Sequence, residues 1–94
     1  MAINLEFENY RSVIDFIQNE KSLLFTETFN EIKKSIKNDD EMANVANLIV
    51  NDEVIVINID KKDWPLHLNY SIEYFESVED YETCIEISNV VKNL

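Results

Sequence analysis

The chain contains no glycine and only one proline, one cysteine and one histidine among its 94 residues. Without glycine there can be no glycine-rich phosphate loop, nucleophile elbow or EF-hand calcium loop, because each needs backbone positions that glycine fills best. A single cysteine cannot form an internal disulfide, so a reducing cytoplasm is the expected location. These absences exclude several common kinds of reaction centre.

Basic residues are scarce as well. Nineteen acidic residues against eight lysines and arginines give a net charge of −11. Nucleic acids and anionic membranes are recognised by clusters of basic side chains, so neither is expected as a direct partner. No apolar run approaches the roughly 20 residues of a membrane span, and the first ten residues lack the features of a signal peptide. The charge instead favours solubility, or a protein partner with a basic surface.

Hydrophobic periodicity predicts one α+β domain over residues 1–94. With 46% hydrophobic residues the chain can form a single packed core, and it is too short for a second one. We expect a short antiparallel β-sheet packed against N-terminal helices and a C-terminal helical hairpin, in the order β-α-α-β-β-α-α. The predicted elements are a strand at 2–7, helices at 9–20 and 23–37, a β-hairpin within 45–60 and a helical hairpin at 63–94.

Two details of this fold depend on apolar patterning. The first helix carries an i, i+3, i+4, i+7 stripe that we expect to face the core: Tyr10, Val13, Ile14 and Ile17. For the β-hairpin, turn chemistry favours a two-residue Asn51–Asp52 loop. A loop of four residues would pair Val50 with Ile55, and we expect the hydrophobic pattern to prevail. The other sheet face should then be partly covered, since it is apolar too: Ile49, Val54 and Val56.

The C-terminal hairpin combines an apolar seam with an acidic exterior. From Asp63 to Leu94 there are seven acidic residues and one lysine. An acidic row of this kind is either an ordinary solvated face or a binding surface, which would attract a basic protein surface or imitate DNA phosphates. Trp64 is either an aromatic anchor for a partner or a cap on the core. The candidate partner-binding residues are Trp64, Glu73, Glu76, Glu79, Asp80, Glu82 and Glu86.

A motif within this hairpin is similar to a known module. Its residues are Leu68, Ile72, Glu79-Asp80-Tyr81-Glu82, Cys84-Ile85, Ile87, Val91 and Leu94. They resemble the UVR motif, the helical hairpin of excision-repair proteins and McsA-type adaptors, although Ser88-Asn89 stands where that motif has Arg-Asp. The resemblance implies protein–protein contact without catalysis. The spacing from Asp63 to Cys84 is also similar to that of small acidic bacteriophage proteins, which implies a phage source.

The sequence contains no recognisable catalytic or metal-binding constellation. Acidic neighbours raise the pKa of a thiol such as Cys84, and His67 has no second histidine to pair with. We therefore expect no enzyme activity, no metal and no cofactor. The expected function is that of an adaptor or inhibitor acting on another protein. The alternatives are a DNA-mimic inhibitor of a nucleic-acid-binding enzyme and a homo-oligomeric structural protein that buries Trp64, Ile85 and Val90.

Overall fold

Residues 2–94, the part of the chain that the computed structural model describes, form three β-strands, four α-helices and one 3-10 turn. The predicted order of elements is confirmed. In chain order they are β1 Ile3–Phe7, α1 Tyr10–Asn19, α2 Lys21–Lys37, β2 Met42–Val50, β3 Glu53–Asp60, the 3-10 turn Lys61–Asp63, α3 Trp64–Ser77 and α4 Tyr81–Lys92.

The sheet is mixed, with β2 in the centre between β1 and β3. β3 runs antiparallel to β2, but β1 runs parallel to it, with Leu5 beside Leu48. The expectation of an antiparallel sheet is therefore wrong for β1. The physical reason is the connection: α1 and α2 carry the chain back along the sheet before β2 begins, and a helical crossover joins parallel strands.

The turn between β2 and β3 is the two-residue loop, so the expected four-residue loop is wrong. Asn51 and Asp52 both have positive φ, 49° and 65°, and Val50 pairs with Glu53. The two registers differ by two residues, so both leave every side chain on the same face of the sheet. The hydrophobic pattern thus cannot distinguish them, and the tolerance of Asn and Asp for left-handed backbone decides.

One face of the sheet carries the core. Leu48 and Val50 of β2 are buried there, and α2 covers them with Phe29 and Ile32. The predicted core face is confirmed for Leu48, Val50 and Ile59, whereas Ile55, which lies on the same face of β3, is 38% exposed.

The opposite face of the sheet is open, although partial cover was expected. Ile49 is half-buried on the central strand, but Val54 and Val56 on β3 are 58% and 52% exposed. Asparagine amides link the three strands across this face: the amide of Asn47 donates to Asn4 over 2.8 Å, and that of Asn44 donates to Asn58 over 2.9 Å. Polar side chains therefore join the strands here without an apolar layer above them.

Helix α1 faces the core with only part of its predicted apolar stripe. Asn9 caps it by accepting a hydrogen bond from the amide of Ser12. Val13 is buried, and Phe16 meets Phe7 edge-on at 5.4 Å. The remaining stripe residues are exposed, so that prediction is wrong for Tyr10, Ile14 and Ile17. A helix lying at the rim of a three-stranded sheet has too little apolar surface beside it to cover its whole stripe.

The C-terminal helical hairpin is confirmed. Helix α3 packs against α2 on one side and α4 on the other, with Leu68 and Phe75 buried. Glu79 takes a left-handed backbone conformation, φ 61°, in the turn before α4. Within residues 2–94, no helix has the length and apolar character needed to cross a membrane.

Candidate functional site

Five of the seven acidic side chains of the helical hairpin are exposed, as they must be to meet a partner. Glu73 and Glu76 project from α3, Glu79 from the turn, and Glu82 and Glu86 from α4. None of these five is held in an ion pair within the hairpin, whose one basic residue is Lys92. Their mutual repulsion is therefore relieved chiefly by solvent and salt, and a basic surface would relieve it further.

Exposed apolar side chains accompany these acids on α4. Tyr81 and Ile85 are 58% and 62% exposed, and Val78 in the preceding turn is also exposed. Residues four apart lie one above the other on a helix, so Tyr81 and Ile85 form one row and Glu82 and Glu86 form the next. We call six exposed side chains of the turn and the first half of α4 the hairpin surface: Val78, Glu79, Tyr81, Glu82, Ile85 and Glu86.

Trp64 is not part of this surface. It is fully buried, at 0% exposure, and its indole Nε1 donates a hydrogen bond to the carbonyl oxygen of Ile59 over 2.9 Å. The assignment of Trp64 as a partner-binding anchor is therefore wrong, and the alternative that it completes the core is correct. Because Trp64 is buried, it also cannot contribute to the homo-oligomer interface that was expected to include Ile85 and Val90. Of these two residues, Val90 is half-buried.

Asp80 has a structural role that the other hairpin acids lack. Its carboxylate caps α4, accepting hydrogen bonds from the Thr83 amide over 3.3 Å and from the Thr83 hydroxyl over 2.8 Å. A capping carboxylate satisfies amides that the helix itself leaves unpaired. Asp80 therefore differs from Glu79 and Glu82, whose carboxylates are exposed on either side of it.

Cys84 is buried in the seam between α3 and α4, where its thiol donates to the carbonyl oxygen of Ile72 over 3.5 Å. Burial, and then the nearby carboxylates of Glu76 and Asp80, raise the pKa of this thiol. A thiol with a raised pKa forms little of the reactive thiolate near neutral pH. The geometry thus gives Cys84 a packing role.

A groove lies between α2 and α3, and it was not predicted from the sequence. This groove has a volume of about 720 Å³, and Phe25 and Tyr74 stack within it at 5.1 Å. His67 lies at its edge beside Tyr70, ring edge to ring face at 6.0 Å. The sequence signal was the pair Tyr70 and Tyr74, one turn apart on α3, but only packing against α2 shows that these rings share one groove.

The residues described bring no three His, Cys, Asp or Glu side chains together in a way that could hold a metal ion. His67 on α3 lines the α2–α3 groove, whereas Cys84 on α4 lies in the α3–α4 seam. The two side chains therefore do not share one site. What the arrangement offers is binding chemistry: carboxylates beside apolar side chains on an exposed helix.

Comparison of the chain with protein-family models, with curated proteins and with solved structures finds no match. The resemblance of the hairpin to the UVR motif therefore stays a prediction. Function has to be argued from the surfaces of the molecule itself.

Proposed function

We propose that the chain is a non-catalytic binding protein, an adaptor or inhibitor, whose hairpin surface docks on a basic surface of another protein. The observation that carries this proposal is the side-by-side placement of two exposed rows on α4. Tyr81 and Ile85 form an apolar row, and Glu82 and Glu86 form a carboxylate row. A rigid helix presents both rows in a fixed geometry.

The two rows contribute differently to binding. Burying Tyr81 and Ile85 against a partner supplies hydrophobic free energy, and aromatic residues are enriched at the centres of interfaces. The carboxylates supply long-range attraction and orientation, which raise the association rate more than the final affinity. Glu73 and Glu76 on α3 add to the same negative field. The expected partner therefore has lysine or arginine side chains around an apolar patch.

The origin suggested by the resemblance to acidic phage proteins fits an inhibitor that acts in a host cytoplasm. The alternative target is a nucleic-acid-binding enzyme whose DNA groove the hairpin would occupy. Such mimicry depends on phosphate-like charge, whereas the exposed Tyr81 and Ile85 favour contact with a mixed protein surface. We therefore place DNA mimicry second.

The test is a pull-down from the native host followed by mass spectrometry, with three forms of the chain as bait. The first is the wild type. The second carries Glu73→Lys, Glu82→Lys and Glu86→Lys, which reverse the hairpin charge but leave the Asp80 cap intact. The matched control carries three substitutions of the same kind at exposed acids elsewhere: Glu6→Lys, Asp15→Lys and Glu41→Lys.

We expect the wild type and the control to recover the same partner and the hairpin variant to lose it. Binding measured with the purified partner should weaken as salt rises, because exposed charges are screened. Equal recovery by all three baits would contradict the proposal. If duplex DNA competes with the chain for the partner, DNA mimicry becomes the preferred function.

A further inference from the structure

Strand β3 is an exposed edge of the sheet with an unusually apolar sequence, EVIVINID. Val54 and Val56 are largely exposed on the open face, and Ile55 is partly exposed on the core face. Val50 and Glu53 flank a two-residue turn and so exchange hydrogen bonds, which directs the peptide groups of Val54 and Val56 away from β2. Within residues 2–94, no strand takes up these outer groups.

Soluble proteins usually protect such an edge with lysine, proline or a bulge. Strand β3 contains neither lysine nor proline. The irregularity in the pairing of β2 with β3 lies on β2, between Asn44 and Ala46. The asparagine contacts described above lie on the open face and leave the outer side of β3 accessible. The edge is therefore ready to accept another strand.

We propose that the strand that pairs with β3 is the β3 strand of a second copy of this chain. The two strands would run antiparallel about a two-fold axis perpendicular to the sheet, and the two three-stranded sheets would become one sheet of six strands. This surface is separate from the hairpin surface and does not depend on the function proposed for it.

The pattern of β3 is compatible with pairing to itself. In a two-fold antiparallel pair, residues opposite each other differ by an even number of positions, so their side chains share a face. Ile55 and Ile57 of both copies would then extend the core face. Val54 and Val56 of both copies would form an apolar cluster on the open face, which neither copy has alone.

The charges at the two ends of β3 favour the antiparallel arrangement. Asp52 and Glu53 stand at its start, whereas its last residue is Asp60, followed by Lys61, Lys62 and Asp63. Antiparallel pairing brings the acidic start of one strand beside the end of the other, where two lysines offset two aspartates and the net charge is zero. Parallel pairing would instead place the two acidic starts side by side, at a cost in free energy.

The size of the contact predicts a weak dimer. A strand of eight residues is about 27 Å long. Pairing along one such edge buries an area near the lower limit of specific interfaces, roughly 1,000 Å² in total. Main-chain hydrogen bonds and the closing of the valine cluster supply the affinity, as in other cases of strand addition. The repulsion between two copies of charge −11 opposes it.

The test is sedimentation equilibrium of the purified chain over a concentration series, at low and at high salt. The disrupting variant is Val56→Lys, which places two lysines near the two-fold axis. The matched control is Ile14→Lys, since Ile14 is 54% exposed and Val56 52%, but Ile14 lies on α1. Both positions are exposed, so both variants should fold, and circular dichroism checks this. Val54→Lys is a second edge variant for confirmation.

We expect a reversible dimer for the wild type and for Ile14→Lys, and a dissociation constant about tenfold higher or more for Val56→Lys and Val54→Lys. Double replacement Lys61→Glu with Lys62→Glu should also weaken the dimer. Rising salt should not weaken wild-type dimerisation, whereas it should weaken partner binding through the hairpin surface, so the two proposals can fail separately. A monomer at every concentration, or a dimer unaffected by Val56→Lys, would overturn the inference.

Discussion

The indole Nε1 of Trp64 donates a hydrogen bond to the carbonyl oxygen of Ile59 over 2.9 Å, and both residues are buried. Ile59 lies near the end of β3 and Trp64 is the first residue of α3, so this contact spans the 3-10 turn between sheet and hairpin. It fixes the position at which the hairpin leaves the sheet. The hairpin surface is thereby presented on a framework anchored in the core.

Trp64→Phe should destabilise the fold by about 2–3 kcal/mol. The substitution leaves the buried carbonyl of Ile59 without its indole donor and opens a cavity where the larger ring was. Urea unfolding followed by circular dichroism measures the loss. Tyr70→Phe is the control, because Tyr70 is an exposed aromatic residue of the same helix. An equal effect of the two substitutions would show that the indole contact has no special role.

Asp52→Gly should stabilise the chain by about 0.5–1 kcal/mol, because Asp52 has φ 65° in a two-residue turn and glycine accepts that conformation without steric cost. The midpoint of urea unfolding should rise. Asn38→Gly is the control at a position with φ −89°, where glycine relieves nothing and adds flexibility to the unfolded chain. A lowered midpoint for Asp52→Gly would contradict the turn geometry.

Ionisation of Cys84 should make stability fall in alkaline solution. Burial and the carboxylates of Glu76 and Asp80 raise its pKa above the ordinary value of 9.0. The associated stability is fully present below that ordinary value, and it is lost as the pH rises through the folded-state pKa. Urea unfolding from about pH 8 to about pH 10.5 should show a steeper decline for the wild type than for Cys84→Ala. Parallel declines would mean that the thiol is not protected.

Glu31 should have an effect of the same sign at acidic pH. It is a largely buried residue of α2 whose carboxylate lies 3.5 Å from the Lys34 ammonium, and desolvation raises its pKa above 4.5. The stability linked to this shift is present below pH 4.5 and is lost as the pH rises through the folded-state pKa.

Glu31→Gln removes this ionisation. The free energy of unfolding of the variant, measured relative to that of the wild type, should therefore be higher at neutral pH than at about pH 4. The difference should be less than about 1 kcal/mol, because the Lys34 contact offsets the gain. Thermal unfolding at the two pH values measures the difference. If the variant is instead less stable, relative to the wild type, at neutral pH than at about pH 4, the ion pair with Lys34 outweighs the desolvation of Glu31.

The candidate surface was only partly predictable. The exposed glutamates on the hairpin followed from periodicity, because a helix that buries Cys84 and Ile87 must turn Glu82 and Glu86 outward. The apolar row followed only in part. Ile85 was expected at an interface, but Tyr81 has the helical spacing of the buried Cys84 and Ile87 and is nevertheless exposed. A seam position at the end of a helix has no neighbour to cover it unless the partner helix extends that far.

Local sequence determined the elements of this protein: their order, the Asn9 cap and the two-residue turn at Asn51–Asp52, since each depends on residues a few positions apart. Tertiary structure alone decided the parallel direction of β1, the burial of Trp64 and the exposure of both faces of β3. The physical reason is that burial depends on which element lies opposite, and periodicity reports the apolar side chains of an element but not its neighbours. The edge strand and the hairpin surface are two apolar surfaces that residues 2–94 leave uncovered.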